Sequence, residues 1–394
     1  MRLKSICMAI LFLFLFGCAN IYKEENVFQD GSNKRNIFVF YDGTANNPNS
    51  STNVWKLYQI IKKDNKSNSG YIYIEGVGTK DKPIAGMALG RGMEERILMG
   101  YEYLIKNYRP GDGILIFGFS RGAHQARALA GLISYAGIPK ITDVDNQNSI
   151  KLGNKILEIT KRKSDDEYLN EWLIWKDGNM PPLASEIHDK MGLEMQPADV
   201  NFLGVWDTVP GSSLKTFGPC KEERDRRKGD RYKSNSYPNI KFIAHAVSID
   251  EKRSKFSPLL ICDPIREDST QVNEVWFPGA HADVGGGYND DEGLSGLSLR
   301  WMIDNLDRIY SFQNSIANIH ASFEGLAHWS IGDRPANMGS KCLDRVIPLN
   351  AQMHQSYAER AAIGTAPTRV KGKIKNLPYP LTCDYPEKNS RQFF

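Results

Sequence analysis

The chain contains the pentapeptide Gly118-Phe119-Ser120-Arg121-Gly122, which has the G-x-S-x-G pattern of a serine nucleophile on a sharp turn. Four apolar residues at 114–117 precede it and predict a short buried strand, and the helix formers at 123–133 follow it. A strand, a tight turn and a helix in this order expose a serine hydroxyl above a sheet. We therefore predict that Ser120 is a nucleophile. The alternative is an inert serine in a glycine-rich turn.

A serine hydroxyl needs a base to attack a carbonyl group, and the base needs an acid that orients it. An apolar run over 200–206 ends at Asp207 and is stopped by a Pro-Gly pair. A second apolar run over 275–277 leads into a glycine-rich loop that carries His281. Sites in open α/β sheets form at the carboxyl ends of the strands. We therefore expect Ser120, Asp207 and His281 to converge as nucleophile, acid and base.

Other residues compete for the roles of base and acid. His245 lies inside an apolar run, where a core or supporting histidine is more common than a base. Asp250, Asp263 and Asp283 are alternatives to Asp207, either as the acid or as carboxylates that brace loops. We expect His245 and Asp283 to support the site from outside the triad.

The charge that develops on a carbonyl oxygen during acyl transfer needs two hydrogen-bond donors. The backbone N–H of Arg121, which follows the nucleophile, is one candidate. The second is expected from the loop Asp42-Gly43-Thr44, which follows an apolar run over 36–41. The backbone N–H groups of Gly43 and Thr44 are the candidate donors there, with Asp42 supporting them. A plain strand-ending turn is the alternative.

Five segments in chain order resemble the catalytic domain of type VI secretion lipase effectors, a phospholipase family of α/β hydrolases. They are D-G-T-x-N at 42–46, G-F-S-R-G-A at 118–123, an acid segment at 203–209, H-A-x-x-x-D-E-x-R at 245–253 and a base loop at 276–288. The resemblance implies a Ser-Asp-His esterase that acts on phospholipids, with Ser120, Asp207 and His281 as its triad. Secreted members of that family are large effectors with further domains, and this short chain departs from them in that respect.

Short apolar strands alternate with helical patterns, which predicts an α/β-hydrolase-like fold with a mostly parallel sheet flanked by helices. The motifs are interleaved, so we expect residues 36–394 to form a single domain. Amphipathic helices within 148–198 predict a helical insertion, which is either a cap over the site or a set of ordinary packing helices. No motif is recognisable beyond 310. Strands are predicted at about 36–41, 71–75 and 113–118, and helices at 53–62, 92–107, 150–163 and 165–175.

The N-terminus has the pattern of an export signal. A short basic head precedes an apolar stretch over 6–16, which is too short to cross a bilayer core of about 30 Å. Cys18 ends a segment that resembles a bacterial lipobox, so 1–17 is predicted to be a lipoprotein signal peptide and 18–35 a tether. We therefore expect the protein in the bacterial cell envelope rather than the cytoplasm. Ala19, which follows Cys18, resembles the sorting signals of outer-membrane lipoproteins, which implies the outer membrane in a Gram-negative cell. An ordinary signal peptide is the alternative.

Composition argues against other classes of protein. A net charge of +4 over 394 residues is not a nucleic-acid-binding signature. No Cys/His spacing resembles a zinc site, and neither a metal nor a cofactor is expected. The basic run at 221–233 is either a solvated loop or a contact for anionic headgroups. One or two disulfides of undetermined pairing are possible among Cys220, Cys262, Cys342 and Cys383.

Together these patterns predict a serine esterase or lipase that hydrolyses acyl esters, with phospholipids or other lipid esters as the expected substrates. Two alternatives stay open. One is a membrane-anchored binding protein that keeps the hydrolase fold without catalysis, because fold alone does not imply function. The other is an esterase for small soluble or cell-wall acyl esters.

Overall fold

The computed structural model describes residues 21–26, 28, 35–78, 91–141, 146–163, 174–210, 236–261, 270–314, 319–332 and 340–384. The strands in these ranges are β1 (Lys23–Glu25), β2 (Asn36–Tyr41), β3 (Ser69–Ile74), β4 (Gly113–Phe119), β5 (Ile138–Pro139), β6 (Met195–Gln196), β7 (Val200–Trp206), β8 (Phe242–Ser248), β9 (Gln271–Phe277), β10 (Ala327–His328), β11 (Gln352–Met353), β12 (Thr365–Val370) and β13 (Lys373–Pro378). The helices are α1 (Asn53–Asp64), α2 (Arg91–Asn107), α3 (Arg121–Ala136), α4 (Asn146–Thr160), α5 (Pro182–Met191), α6 (His281–Gly285), α7 (Gly293–Asp307) and α8 (Gln355–Ile363). Short 3₁₀ turns lie at Pro48–Ser50, Ser254–Phe256 and Ser330–Gly332.

The central sheet has the strand order β1-β3-β2-β4-β7-β8-β9-β11. Its neighbouring strands are parallel, except for the antiparallel edge pair β1–β3. A second sheet has the order β10-β12-β13, and β5 pairs with β6. The expected fold class, a mostly parallel sheet flanked by helices, is confirmed.

Strand β2 shows that the sheet is buried on both faces. Ile37, Val39 and Tyr41 belong to one apolar cluster, whereas Phe38 and Phe40 belong to another on the opposite face. Helices α2 to α5 contribute to the first cluster, and helices α1, α6 and α7 contribute to the second. A strand covered on both faces needs a continuous apolar run rather than alternation. This requirement explains why central strands such as β2 and β4 could be predicted from continuous apolar runs in the sequence.

The described helices of the 148–198 stretch, α4 and α5, pack against α2 and α3. Ile156, Leu157 and Ile187 are buried in the same cluster as those helices. Helix α5 begins at Pro182. Proline is favourable at the first helical position because its missing N–H has no helical partner there.

The region beyond 310 is an integral part of the fold. Strand β11 pairs with β9 and extends the central sheet, while Trp329 and Tyr379 help to form a small apolar cluster beside the second sheet. Cys342 and Cys383 form a disulfide, with Cα atoms 5.7 Å apart. Cys220 and Cys262 lie outside the described residues.

The stretch predicted as a tether, 18–35, contains part of the sheet. Residues 23–25 pair with β3, and Tyr22 N donates to Glu75 Oε1 at 2.7 Å. Edge pairing uses backbone groups, so the polar side chains of this stretch do not prevent it. Residues 1–20, which include Cys18, and the basic run 221–233 lie outside the described residues. No helix in the described part of the chain is long and apolar enough to span a membrane.

Candidate active site

Ser120 occupies the strained turn between β4 and α3. Its φ of 59° lies in the left-handed region that a serine rarely adopts. The flanking glycines permit a close approach of backbone. A Cβ at Gly118 would lie 2.4 Å from the carbonyl oxygen of Gly122, and one at Gly122 would lie 2.4 Å from that of Asp42. The turn therefore packs directly against the end of β2.

Strand register brings Asp207 beside Ser120. Phe119 pairs with Trp206 across β4 and β7, so the next residue of each strand reaches the same edge. Ser120 N donates to Trp206 O at 3.0 Å, and Val209 N donates to Ser120 O at 3.2 Å. The loop that begins at Asp207 and the turn at Ser120 are thus joined by backbone hydrogen bonds on both sides of Asp207, which is fully buried.

His281 is the first residue of α6, just past the end of β9. Its Nδ1 lies 2.5 Å from Asp207 Oδ2. The imidazole ring packs against Phe119, with ring centroids 4.6 Å apart, and against the edge of Phe256 at 5.1 Å. Its backbone N–H donates to Glu251 Oε2 at 3.2 Å. The ring is therefore held beside the residue that precedes Ser120.

The charges of this pair follow from its surroundings. Burial by itself raises the pKa of Asp207, but the Arg345 charge and the hydrogen bond to His281 outweigh it and hold that pKa well below its usual range. Asp207 is therefore ionised and accepts the Nδ1 proton of His281. Burial lowers the pKa of His281, although Asp207 opposes this effect. The result is a neutral imidazole whose Nε2 can accept a proton.

His245, the alternative candidate for the base, contacts Thr208, the residue that follows Asp207. Its Nδ1 is 2.8 Å from Glu274 Oε2, and its Nε2 accepts the backbone N–H of Thr208 at 3.2 Å. Because that N–H can only donate, the ring proton is on Nδ1 and faces Glu274. The fully buried ring fixes Thr208 next to Asp207.

The competing carboxylates bind the base loop rather than the His281 ring. Asp283 accepts the N–H of Ala280 at 2.8 Å and pairs with His328 Nδ1 at 2.7 Å. Asp250 accepts the N–H of Gly279 at 2.7 Å and the hydroxyl of Tyr379 at 3.1 Å. Asp263 lies outside the described residues. Both described carboxylates therefore brace the loop from which His281 projects.

The candidate oxyanion donors differ in availability. Arg121 is the first residue of α3, so its N–H has no partner within the helix. The N–H of Gly43 donates to Asp42 Oδ1 at 2.7 Å and is therefore engaged. The hydroxyl of Thr44 is buried and has no hydrogen-bond partner within the described part of the chain. The Arg121 N–H is thus more available than the Gly43 N–H, and the Thr44 hydroxyl is a further candidate donor that differs from the predicted Thr44 backbone N–H.

Asp42 organises the loop that follows β2. Besides the Gly43 N–H, it accepts hydrogen bonds from Tyr73 at 2.6 Å and Thr52 at 2.9 Å. Burial raises the pKa of Asp42 to about 6, although these hydrogen bonds oppose the rise. Its carboxyl group connects β3 and the start of α1 to the loop beside the nucleophile.

Three groups at the site were not predicted from the sequence. Arg345 binds both oxygens of Asp207, Glu251 binds the backbone of His281, and His328 holds Asp283. Glu251 lies in the segment 245–253 that resembles the family, so this segment could have indicated it. Arg345 lies in a region without any motif. In the described ranges, no group of three or more His, Cys, Asp or Glu residues is placed to hold a metal ion.

The model of the type VI secretion family described as phospholipase effector Tle1-like, catalytic domain, matches residues 35–305. The chain belongs to this family. The matched residues include Ser120, Asp207 and His281, whereas Arg345 lies beyond them. The resemblance inferred from the sequence is confirmed, and so is the expectation of a hydrolase catalytic domain.

Individual relatives are distant and longer. An uncharacterized protein of Saccharomyces cerevisiae is 26% identical over 246 residues, which are 58% of this chain and 33% of that protein. A crystal structure of an uncharacterized protein from Pseudomonas aeruginosa is 17% identical, covers 69% of this chain and 45% of its own, and has a TM-score of 0.36. A Tle1 effector bound to the VgrG spike of the type 6 secretion system is 21% identical, with coverages of 65% and 51% and a TM-score of 0.30. The chain thus spans between a third and about half of the length of these relatives.

Proposed function

We propose that this protein is a serine esterase that hydrolyses lipid acyl esters, with phospholipids as the principal substrate class. The observation that carries the proposal is the 2.5 Å contact between His281 Nδ1 and Asp207 Oδ2 beside the strained Ser120 turn. A binding module has no need of these three side chains at the ends of three parallel strands, β4, β7 and β9, of one sheet. Membership of a phospholipase-effector family supports the choice of lipid esters.

In the first half of the reaction, the Ser120 hydroxyl attacks the ester carbonyl carbon. His281 Nε2 takes the hydroxyl proton, and ionised Asp207 stabilises the resulting imidazolium. The carbonyl oxygen becomes an oxyanion, which the Arg121 N–H and the Thr44 loop stabilise. When the tetrahedral species collapses, the ester bond breaks and His281 returns the proton to the departing alkoxide. The products are an alcohol and an acyl ester on Ser120.

In the second half, water replaces the serine as nucleophile. His281 takes a proton from water as the water oxygen attacks the acyl carbon, and the same donors stabilise the second oxyanion. Collapse breaks the bond to Ser120, whose oxygen recovers the proton from His281. A fatty acid leaves, and the enzyme returns to its starting state without any other reactant.

A substrate panel tests the proposed function. Wild type and Ser120→Ala are compared on phospholipid vesicles, a triglyceride emulsion, a short-chain soluble ester and an acylated cell-wall fragment, and released acid is measured. We expect Ser120-dependent release to be fastest on phospholipid. If Ser120-dependent release occurs only with the soluble or the cell-wall ester, that ester rather than phospholipid is the substrate class. Absence of release from every substrate would favour the binding-protein alternative.

The pH dependence of the reaction follows from the state of His281. A base must be neutral to accept a proton, and burial lowers the pKa of His281 from its ordinary value of 6.5. We therefore expect kcat/KM on a soluble ester to stay high down to a pH below 6.5 and to fall as the imidazole becomes protonated. Circular dichroism at each pH separates this loss from unfolding. An acid limb centred above 6.5 in a folded protein would contradict the neutral, buried base.

The proposed cellular site is a membrane surface, reached through a lipid anchor on Cys18. Cys18→Ser should block lipidation. Because stable anchoring needs more than one acyl chain, the variant is expected to move from the membrane to the soluble fraction. Activity on a dispersed short-chain ester should be retained and activity on bilayers reduced. Cys7→Ser, within the predicted signal, is the matched control and should change neither. Equal membrane association of the Cys18 variant and wild type would contradict the anchor.

A further inference from the structure

Arg345 makes the most extensive side-chain contact with the candidate catalytic acid. Its Nη1 donates to Asp207 Oδ1 at 2.5 Å, and its Nη2 donates to Asp207 Oδ2 at 2.9 Å. The guanidinium also donates to the carbonyl oxygens of Ser248 at 2.6 Å and Phe256 at 2.7 Å. The Arg345 side chain is 4% exposed. This two-pronged geometry fixes the plane of the carboxylate, which a single point charge cannot do.

The orientation of Asp207 is completed by one backbone group. Ser248 N donates to Oδ1 at 2.9 Å, which leaves Oδ2 to receive the Nδ1 proton of His281. Asp207 is fully buried, and an isolated carboxylate in such a place becomes protonated. The Arg345 charge keeps it ionised. A neutral Asp207 would not hold the imidazole in the tautomer that leaves Nε2 free.

The segment that presents Arg345 has little regular structure to hold it. One isolated bridge joins Cys342 to Arg253, and Leu343 N donates to Lys252 O at 2.8 Å. Two of its apolar side chains, Leu343 and Val346, are 55% and 75% exposed, so they contribute little burial. Backbone pairing and apolar packing are therefore sparse here.

Contacts through side chains also hold this segment. The Cys342–Cys383 disulfide lies three residues before Arg345 and ties the segment to the end of the second sheet region. Lys252 Nζ and Asp344 Oδ1 form an ion pair at 2.9 Å, but Asp344 is 51% exposed, which limits its contribution. The disulfide is thus a covalent restraint close in sequence to the residue that contacts Asp207.

We propose that Arg345 is a positioning residue for ester hydrolysis and that the Cys342–Cys383 disulfide holds it in place against Asp207. The proposal rests on the function proposed above for Ser120, Asp207 and His281. It adds that the hydrolytic site is completed by a residue from outside the matched family domain. Loss of the disulfide then lowers activity through Arg345.

The test compares Arg345→Met with Arg345→Lys and with Arg360→Met. Arg360 is a matched control because it is a buried arginine of the same region, but it donates to the carbonyl oxygens of Phe323 and Gly325. Arg345→Met should lower kcat on the order of 10²-fold, the effect of a misplaced catalytic group. Arg345→Lys should recover part of this loss. Arg360→Met should lower the melting temperature and leave kcat of the folded protein within a few-fold of wild type.

The pH profile separates positioning from a structural role. Without the Arg345 cation, the coupled Asp207–His281 pair takes up a proton more readily, so the acid limb of kcat/KM should move up by about one pH unit. The other charged groups beside this pair, Glu251 and Arg253, bind each other at 2.7 Å and are unchanged in the variants. Arg345→Lys retains the charge and should show a smaller shift. Arg360→Met should show none.

The disulfide is tested by the double variant Cys342→Ser/Cys383→Ser, which avoids reducing other cysteines. It should lower kcat in the wild-type background and have little further effect in the Arg345→Met background. An unshifted acid limb in both Arg345 variants would overturn the positioning role. Equal losses from the double variant in both backgrounds would overturn the link to the disulfide. If Ser120→Ala is inactive, either of these results leaves the proposed function intact. An active Ser120→Ala would instead contradict the proposed function.

Discussion

Ser120→Ala is expected to lower kcat on the order of 10⁴–10⁶-fold, because it removes the oxygen that we propose forms the acyl-enzyme. His281→Ala should lose a similar factor, and the double variant should be little worse, since the two residues act as a unit. The Ser120 hydroxyl is small and lies in a turn held by backbone hydrogen bonds, so the alanine variant should fold. Initial rates of fatty-acid release under saturating substrate measure the effect.

Ser134→Ala is the matched control for this result. Ser134 is a buried serine on the same helix, α3, and its hydroxyl donates to Ala130 O at 2.7 Å. The hydroxyl also contacts Asn239 Oδ1. Its loss should lower stability and change kcat by less than about tenfold, since neither contact involves Ser120, Asp207 or His281. Retained activity in Ser120→Ala, or a collapse of activity in Ser134→Ala with the fold intact, would remove Ser120 from the nucleophile role.

Asp207→Asn is expected to lower kcat by about 10⁴-fold, because a neutral amide favours the wrong imidazole tautomer. The structure adds a second effect. Asp207 neutralises the buried Arg345, so breaking this pair should also destabilise the fold by about 3–5 kcal/mol. The rate must therefore be measured on the folded fraction, with denaturant unfolding of the same sample giving the stability loss.

Asp250→Asn and Asp283→Asn are the controls for the acid. Both residues are buried near the base loop, but their hydrogen bonds reach Gly279 and Ala280 rather than the His281 ring. Each variant should retain far more activity than Asp207→Asn. If the Asp250 or Asp283 variant loses its activity while the Asp207 variant keeps it, the acid has been assigned to the wrong carboxylate.

The Ser120 turn and the residues that follow the strand ends could be predicted from the sequence, because each is marked by a short local pattern. The run before Ser120 is continuously apolar, as a strand buried on both faces must be. Parallel strands end at one edge of the sheet, so residues that follow such runs can be grouped without knowing the strand order. The register of Phe119 with Trp206 then places Asp207 where that argument expects it.

The features that the sequence did not reveal depend on long-range or backbone contacts. Arg345 meets Asp207 across 138 residues of chain from a segment with sparse regular structure, so no periodic pattern marks it. Strand β1 pairs through its backbone at a sheet edge, and its polar side chains give no strand signal. The engagement of the Gly43 N–H by Asp42 depends on a side-chain position that spacing does not encode.

The most direct test of the central claim is to map the covalent adduct that a fluorophosphonate leaves on the folded protein. Wild type, Ser120→Ala, His281→Ala and Ser134→Ala are treated under identical conditions, digested and examined by peptide mass spectrometry. Activated serine nucleophiles react with such phosphonates because a base takes their proton. We expect one modified peptide, which contains Ser120, in wild type and Ser134→Ala, much slower modification in His281→Ala and none in Ser120→Ala. An adduct on another residue, or labelling that persists in Ser120→Ala, would contradict the account.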